Sequence, residues 1–355
     1  MKNTLYLSIL AAALMGGQVF AAEAIPTAVK GYTDLIFSSY YGVYNQSGDA
    51  SGGNVIVSYS ETGTDLSKAS VYGGNSMPAA ASSNKVTMTG GQVRWLYGGN
   101  GSTEATGNTV IMTGGSAEQV YGGTGDAMNT GVASGNVAIV AGDCIVSNTL
   151  CGGSVPMGAA ANDNKIYLVG KGATATIADA QGKTATYTGG EISVKSIYGG
   201  QCSNTSTGNS LDIYGTGITA SGMVANMQIL NFHIAGALAV ADDPMFTSTF
   251  AIPLNLTGVT LGFCSDDVQD WSAFDGKSIT LVDAAKAITV GEGSLGDVEI
   301  KGADGATVAT ATLGLANSNK SLVMSNIKQA SPVPEPTTGT LSLLALAGLC
   351  MRRRK

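Results

Sequence analysis

Asparagine recurs along this chain as the opening of short stretches in which apolar and polar residues alternate. After Asn84 the apolar positions are Val86 and Met88, and after Asn108 they are Val110 and Met112. Asn164 is followed by Ile166 and Leu168, and Asn209 by Leu211 and Ile213. A period of two is the signature of a strand with one face buried. After Asn54 and Asn136 the apolar positions are odd instead: Val55 and Val57, Val137 and Ile139. A one-residue shift turns a strand's apolar face outward, so these two rows are expected to slip or to carry a bulge.

A second landmark alternates with the first. Tyr72-Gly73-Gly74, Tyr97-Gly98-Gly99, Tyr121-Gly122-Gly123 and Tyr198-Gly199-Gly200 share one triplet; Cys151-Gly152-Gly153 is a variant and Tyr41-Gly42 a degenerate first copy. Self-similarity at a fixed period of this size marks a repeat architecture. Each unit reads as strand, glycine turn (Gly90-Gly91, Gly114-Gly115), strand, glycine-rich turn. One unit cannot bury its own apolar face, whereas stacked units form a continuous core. The chain is therefore expected to be all-β, a β-solenoid of the right-handed parallel β-helix kind, rising about 4.8 Å per coil. In it Asn54, Asn84, Asn108, Asn136, Asn164 and Asn209 form an internal amide ladder, and the tyrosines stack at a corner. Gly170 to Thr188 reads as an inserted loop or hairpin, and Asn100 as a turn residue. Residues 25–224 hold the repeats. Residues 225–328 lack the triplet but stay strand-like, as continuing coils or a cap.

The two ends differ from this body. Residues 1–24 read as a signal peptide with an N-terminal helix: Lys2, an apolar run from Leu5 to Met15, then small residues around Ala21 or Ala24. Residues 329–355 form a tail. Val333, Pro334, Glu335 and Pro336 interrupt regular structure. A short apolar run, Leu341 to Met351, expected as a helix, leads to Arg352, Arg353, Arg354 and Lys355. These three elements in this order resemble the PEP-CTERM sorting signal of Gram-negative bacteria. The resemblance covers the tail alone. It implies an exosortase-type processing protease as partner, transient membrane contact by the short transmembrane helix, and delivery to the cell surface, outer membrane or extracellular matrix. The body is similar in style to autotransporter passenger regions, without their membrane-barrel end.

Charge narrows the partners. The 355 residues carry a formal net charge of −7. Lys2 and the four terminal cations lie in the ends while nearly all the acids lie in the body, so the body is the more acidic part. An acidic body excludes nucleic acid as a partner. Charged residues make up only 12% of the chain, which suits stacked strands better than disorder by self-repulsion. Export would place Cys144, Cys151, Cys202 and Cys264 in an oxidising compartment, where three pairings are open to them. Cys151 stands in the tyrosine position, which favours a small packing role.

Candidate chemistry is sparse. Glycoside hydrolysis needs two facing carboxylates. Asp242-Asp243 and Asp266-Asp267, with Asp270 nearby, are sequence neighbours that a strand would point to opposite faces. His233, the only histidine, sits in an apolar alternation with no obvious partner. Gly122 to Asp126 approaches a calcium-binding turn with its Asp one residue early. No catalytic, cofactor or metal residues are assigned. The expected function is an exported structural or adhesin-like surface protein without catalysis, with matrix or host glycan or polymer as ligand. The alternative is a polysaccharide-active β-helix enzyme, a lyase or glycoside hydrolase.

Overall fold

The computed structural model describes residues 26–36, 38–125, 131–155, 160–202, 206–265, 267–268 and 270–330. The signal-peptide and sorting-tail residues lie outside these, including Val333, Pro334, Glu335, Pro336, Arg352, Arg353, Arg354 and Lys355. The described chain is all-β and winds into a solenoid of about eight turns.

Each coil contributes a strand to two long parallel ladders. The tyrosine-side ladder runs from Ser39–Asn45 through Ser70–Ser76, Gln92–Gly101, Gly115–Gly125, Cys144–Val155 and Ile192–Cys202. It continues as Ile218–Ala220, Phe246–Ser248 and Ile279–Ala284. The asparagine-side ladder runs from Asn54–Tyr59 through Lys85–Met88, Thr109–Met112, Val137–Ala141, Lys165–Val169 and Ser210–Tyr214. Ile229–His233, Thr260–Cys264 and Gly296–Lys301 extend it. Short strands such as Ala81–Ser82, Glu104–Thr106 and Val132–Ser134 pair at the corner between the two.

Alternation decides what faces inward. Val86, Met88, Val110, Met112, Ile166, Leu168, Leu211 and Ile213 fill the interior together with Val71, Leu96, Val120, Leu150 and Ile197 from the other ladder. The Asn136 row does not slip. Val137 pairs with Thr109 and Val140 with Met112, so Ala138 and Val140 point inward and Val137, Ile139 and Ala141 point out. Their outward side chains are buried because residues 170–188 fold back over them as a hairpin, Thr174–Ala178 against Thr184–Thr188. Ala175, Ile177 and Tyr187 of that hairpin pack on Ile111, Val137, Ile139 and Val169. Both faces of this strand being apolar, its reading from periodicity alone misassigned the inner face.

The hairpin tip is pinned by polar contacts. Asp179 accepts from Lys85 Nζ at 3.0 Å and from the backbone N–H groups of Gln181 and Lys183, while Ala180 N–H donates to Thr109 Oγ1. Burial pushes the Asp179 carboxyl up, but the Lys85 and backbone donors outweigh it and the net shift is downward. A depressed folded pKa contributes stability above the unfolded carboxylate range, lost as pH falls through the lower folded value. Asp179→Asn is therefore expected to melt below the native protein at about pH 6, with the gap closing as the pH falls through the lowered carboxyl value of the folded chain. Melting curves across that range check this; a gap unchanged by pH would reject the latch.

Open strand edges invite uncontrolled pairing, and both ends are covered. Pro26–Lys30 lies antiparallel on Asn54–Tyr59, and Asp34–Ile36 on the start of Ser39–Asn45. At the other end a hairpin joins the two ladders. Thr307–Ala316 pairs with Gly296–Lys301, Ser321–Gln329 pairs with Ile279–Ala284, and the two pair with each other. Its turn places Asn317, Ser318 and Asn319 at φ of 52°, 58° and 64°, a left-handed conformation that short polar side chains tolerate. Residues 225–328 thus contain both further coils and the seal. Among the described residues no helix is long and apolar enough to cross a membrane.

Candidate functional site

The asparagine row and the Tyr-Gly-Gly triplet are two halves of one device. Asn84, Asn108, Asn136, Asn164 and Asn209 are fully buried. Asn108 Nδ2 donates to Ala81 O at 2.9 Å and to Asn136 Oδ1 at 3.0 Å, and its backbone N–H donates to the same Oδ1. Asn84, Asn136 and Asn164 repeat the pattern toward the next coil. Every amide atom is satisfied, the condition on which a buried polar group is tolerated. The second glycine of each triplet makes room for it: a Cβ on Gly74, Gly99 or Gly123 would lie 2.4–2.5 Å from the carboxamide of Asn84, Asn108 or Asn136. The first glycine admits the next coil, since a Cβ on Gly98 would lie 2.2 Å from Gly122 O.

Asn54 is not part of this row. Its side chain is exposed, and Gly53 occupies the first ladder position by donating its N–H to Asn84 Oδ1. That offset explains the odd apolar positions at Val55 and Val57, which pair in register with Val86 and Met88. The far end is closed by Gln228, a residue the asparagine pattern passed over. Its Oε1 accepts from Asn209 N at 3.0 Å. The available signal was an amide one residue before the alternation of Ile229 to Ile234.

The outward face of the tyrosine-side ladder carries continuous rows. The rings of Tyr41, Tyr72, Tyr97 and Tyr121 stack at centroid distances of 4.9, 4.8 and 5.2 Å. Cys151 and Tyr198 follow in register. Burial pushes the Tyr72 and Tyr121 phenols up to about 12, and Tyr97, with a neighbour on each side, higher still. These rings therefore stay neutral. A second row, Asn75, Asn100, Thr124, Ser154 and Gln201, runs beside them. Asn100 is a strand residue of this row, not a turn residue; its Nδ2 donates to Asn75 Oδ1 at 3.0 Å. Arg94 lies over the Trp95 ring at 4.2 Å and pairs with Glu118. A bulge in Cys144–Val155 absorbs one extra residue and keeps Cys151 in the tyrosine row.

The other outward face brings together residues far apart in sequence. His233 has a partner that its sequence surroundings concealed: Nε2 lies 3.1 Å from Asp212 Oδ1, and the ring stacks on Tyr214 at 3.7 Å. Asn231 and Ser210 also donate to Asp212. Burial, with Asp212 opposite, pushes the Tyr167 phenol up to about 12. The other carboxylates named above are dispersed. Asp242, Asp243 and Asp267 are exposed in loops, and Asp270 accepts from Ser272 N as a helix cap. Asp126 and Asp266 lie outside the described residues.

Cys144 and Cys151 are buried thiols, and Cys264 is half-buried. Burial, with Asp143 nearby, pushes the Cys144 thiol up to about 12, which leaves it protonated and inert. Among the described residues no three His, Cys, Asp or Glu side chains converge as a metal site. No protein-family model, curated protein or solved structure matches this chain.

Proposed function

We propose that this protein is an exported structural component of the bacterial cell surface, outer membrane or extracellular matrix, adhesin-like and without catalysis. The observation that supports this best is the repeating row of stacked tyrosines on the outward side of the tyrosine-side ladder, broken at the buried Cys151. Phenols there are accompanied from coil to coil by the amides of Asn100 and Gln201 and the hydroxyl of Thr124, and the Arg94–Glu118 pair lies beside them. Such a surface suits a neutral repeating polymer, a matrix or host glycan, better than a single small substrate. The solenoid is read as right-handed. The sorting tail would carry it: an exosortase-type protease acts near Pro334, Glu335 and Pro336 while a short helix and Arg352–Lys355 hold the chain transiently in the inner membrane. Mass spectrometry of the protein from intact cells should find a mature chain lacking Arg352 to Lys355; one ending at Lys355 rejects the processing. Glycan arrays probed with the body test the ligand class.

A second reading is favoured by one constellation. Asp212 beside His233 is a carboxylate–imidazole pair of the kind that acid–base catalysis uses, so a polysaccharide lyase or glycoside hydrolase is the alternative. Release of unsaturated uronate or reducing sugar that disappears in Asp212→Asn would replace the structural reading with this one.

A further inference from the structure

The asparagine-side ladder comes apart at one place. Ile229–His233 pairs with Thr260–Cys264 along all five residues, but Thr260–Cys264 meets the next strand, Gly296–Lys301, only at Cys264 and Lys301. Ser265 N–H to Lys301 O, at 2.8 Å, closes that end. Beyond it the two strands splay around a cleft of about 540 Å³. Its floor is apolar, with Val259, Leu261, Phe263 and Val298, and its open end is the turn Gly291 to Ser294.

The walls of the cleft are strand edges. Thr260 N–H and Cys264 O bond to the preceding coil. Alternate residues of a parallel strand point their backbone groups to opposite sides, so those of Leu261 and Phe263 point into the cleft. On the facing strand Lys301 O points to it, and Asp297 and Glu299 lie on the same side of their strand. None of these four residues has a ladder partner across the gap. Two edges facing one another over an apolar floor match the geometry of strand addition, where the main chain supplies affinity and alternate side chains fill the floor.

We propose that this cleft receives the start of the chain's own apolar segment, Leu341 to Ala345, as an added strand, sheltering it in water until a membrane takes it up. The exit of the chain favours this occupant. Ala330 N–H bonds to Val308 O, and Thr307 pairs with Lys301, so the body ends beside the closed end of the cleft. Residues 331–340 can reach up to about 33 Å. In a strand Leu341, Leu343 and Ala345 share one face, apolar like the floor. An apolar helix of this length is marginal in water, whereas a ready strand edge needs no nucleus.

The proposal rests on the cleft and the tail sequence, independently of export or processing. Hydrogen exchange of the purified full chain tests it against the variant Leu343→Pro/Ala345→Pro, which cannot add as a strand. The amides of Leu261, Phe263, Asp297 and Glu299 should exchange about tenfold or more slower in the native chain than in the variant. The body's melting temperature reports that the variant remains folded. Equal rates in both chains would overturn the proposal. So would protection that survives in the variant and fades on dilution, because a second copy would then be the occupant.

Discussion

Asn108→Ala is expected to lower the melting temperature by about 6–20 °C, while Asn54→Ala leaves it unchanged. Removing the Asn108 carboxamide takes the acceptor from Asn84 N–H and a donor from Ala81 O, in a fully buried site. Each orphaned buried group costs roughly 1–3 kcal/mol, and the side chain's own volume is lost as well, for roughly 3–5 kcal/mol in all. In a domain of this size 1 kcal/mol moves the midpoint by about 2–4 °C. Asn54 has the same local sequence pattern but an exposed side chain, so its truncation should stay within about 0.5 kcal/mol. Thermal melts of the two variants side by side decide the matter. Equal shifts would mean that the amide row contributes nothing beyond ordinary side-chain packing.

Gly98→Ala should be at least as damaging. The added Cβ would lie 2.2 Å from Gly122 O and 3.0 Å from the Thr109 carbonyl. These are backbone atoms of coils held in register on both sides, so no side chain can swing away. Overpacking against atoms that cannot move costs roughly 4 kcal/mol or more. Gly314 is the comparison: a Cβ there meets nothing within 4 Å, and its φ is not positive. Gly314→Ala should be neutral or slightly stabilising through the unfolded chain. Denaturant melts that place Gly98→Ala within about 0.5 kcal/mol of the native protein would refute the close approach of coils at the triplet.

What the sequence makes legible is what repeats. A tyrosine, two glycines and an asparagine occupy equivalent places in successive coils, so each copy corroborates the others. The inward positions of Val86, Met88, Val110 and Met112 follow from period two alone. Singular features escape that logic. Gly53 serves the first coil because a backbone N–H suffices where no earlier amide needs an acceptor, and a neighbouring asparagine disguises it. Val137 and Ile139 look inward-facing until the hairpin from Thr174 to Thr188 is seen to cover them, a contact between segments more than thirty residues apart. His233 and Asp212 are 21 residues apart, and only the coil length, itself irregular here, brings them together. The splaying between Thr260–Cys264 and Gly296–Lys301 has no local signature, because it is a pairing that stops.

The covered ends carry an evolutionary consequence. Pro26–Lys30 and the hairpin Thr307–Ala316 with Ser321–Gln329 run antiparallel to the strands they cover, so neither presents the parallel register that another coil would need. Gln228 likewise finishes the amide row. A gene of this kind cannot lengthen its product by appending units at either terminus. Growth and shrinkage must happen by duplicating or losing whole units in the interior, where any coil's asparagine bonds to the next coil's asparagine. Lineages carrying such a chain should therefore differ in the number of middle repeats while keeping both terminal pieces, much as a zip is resized between its two stops.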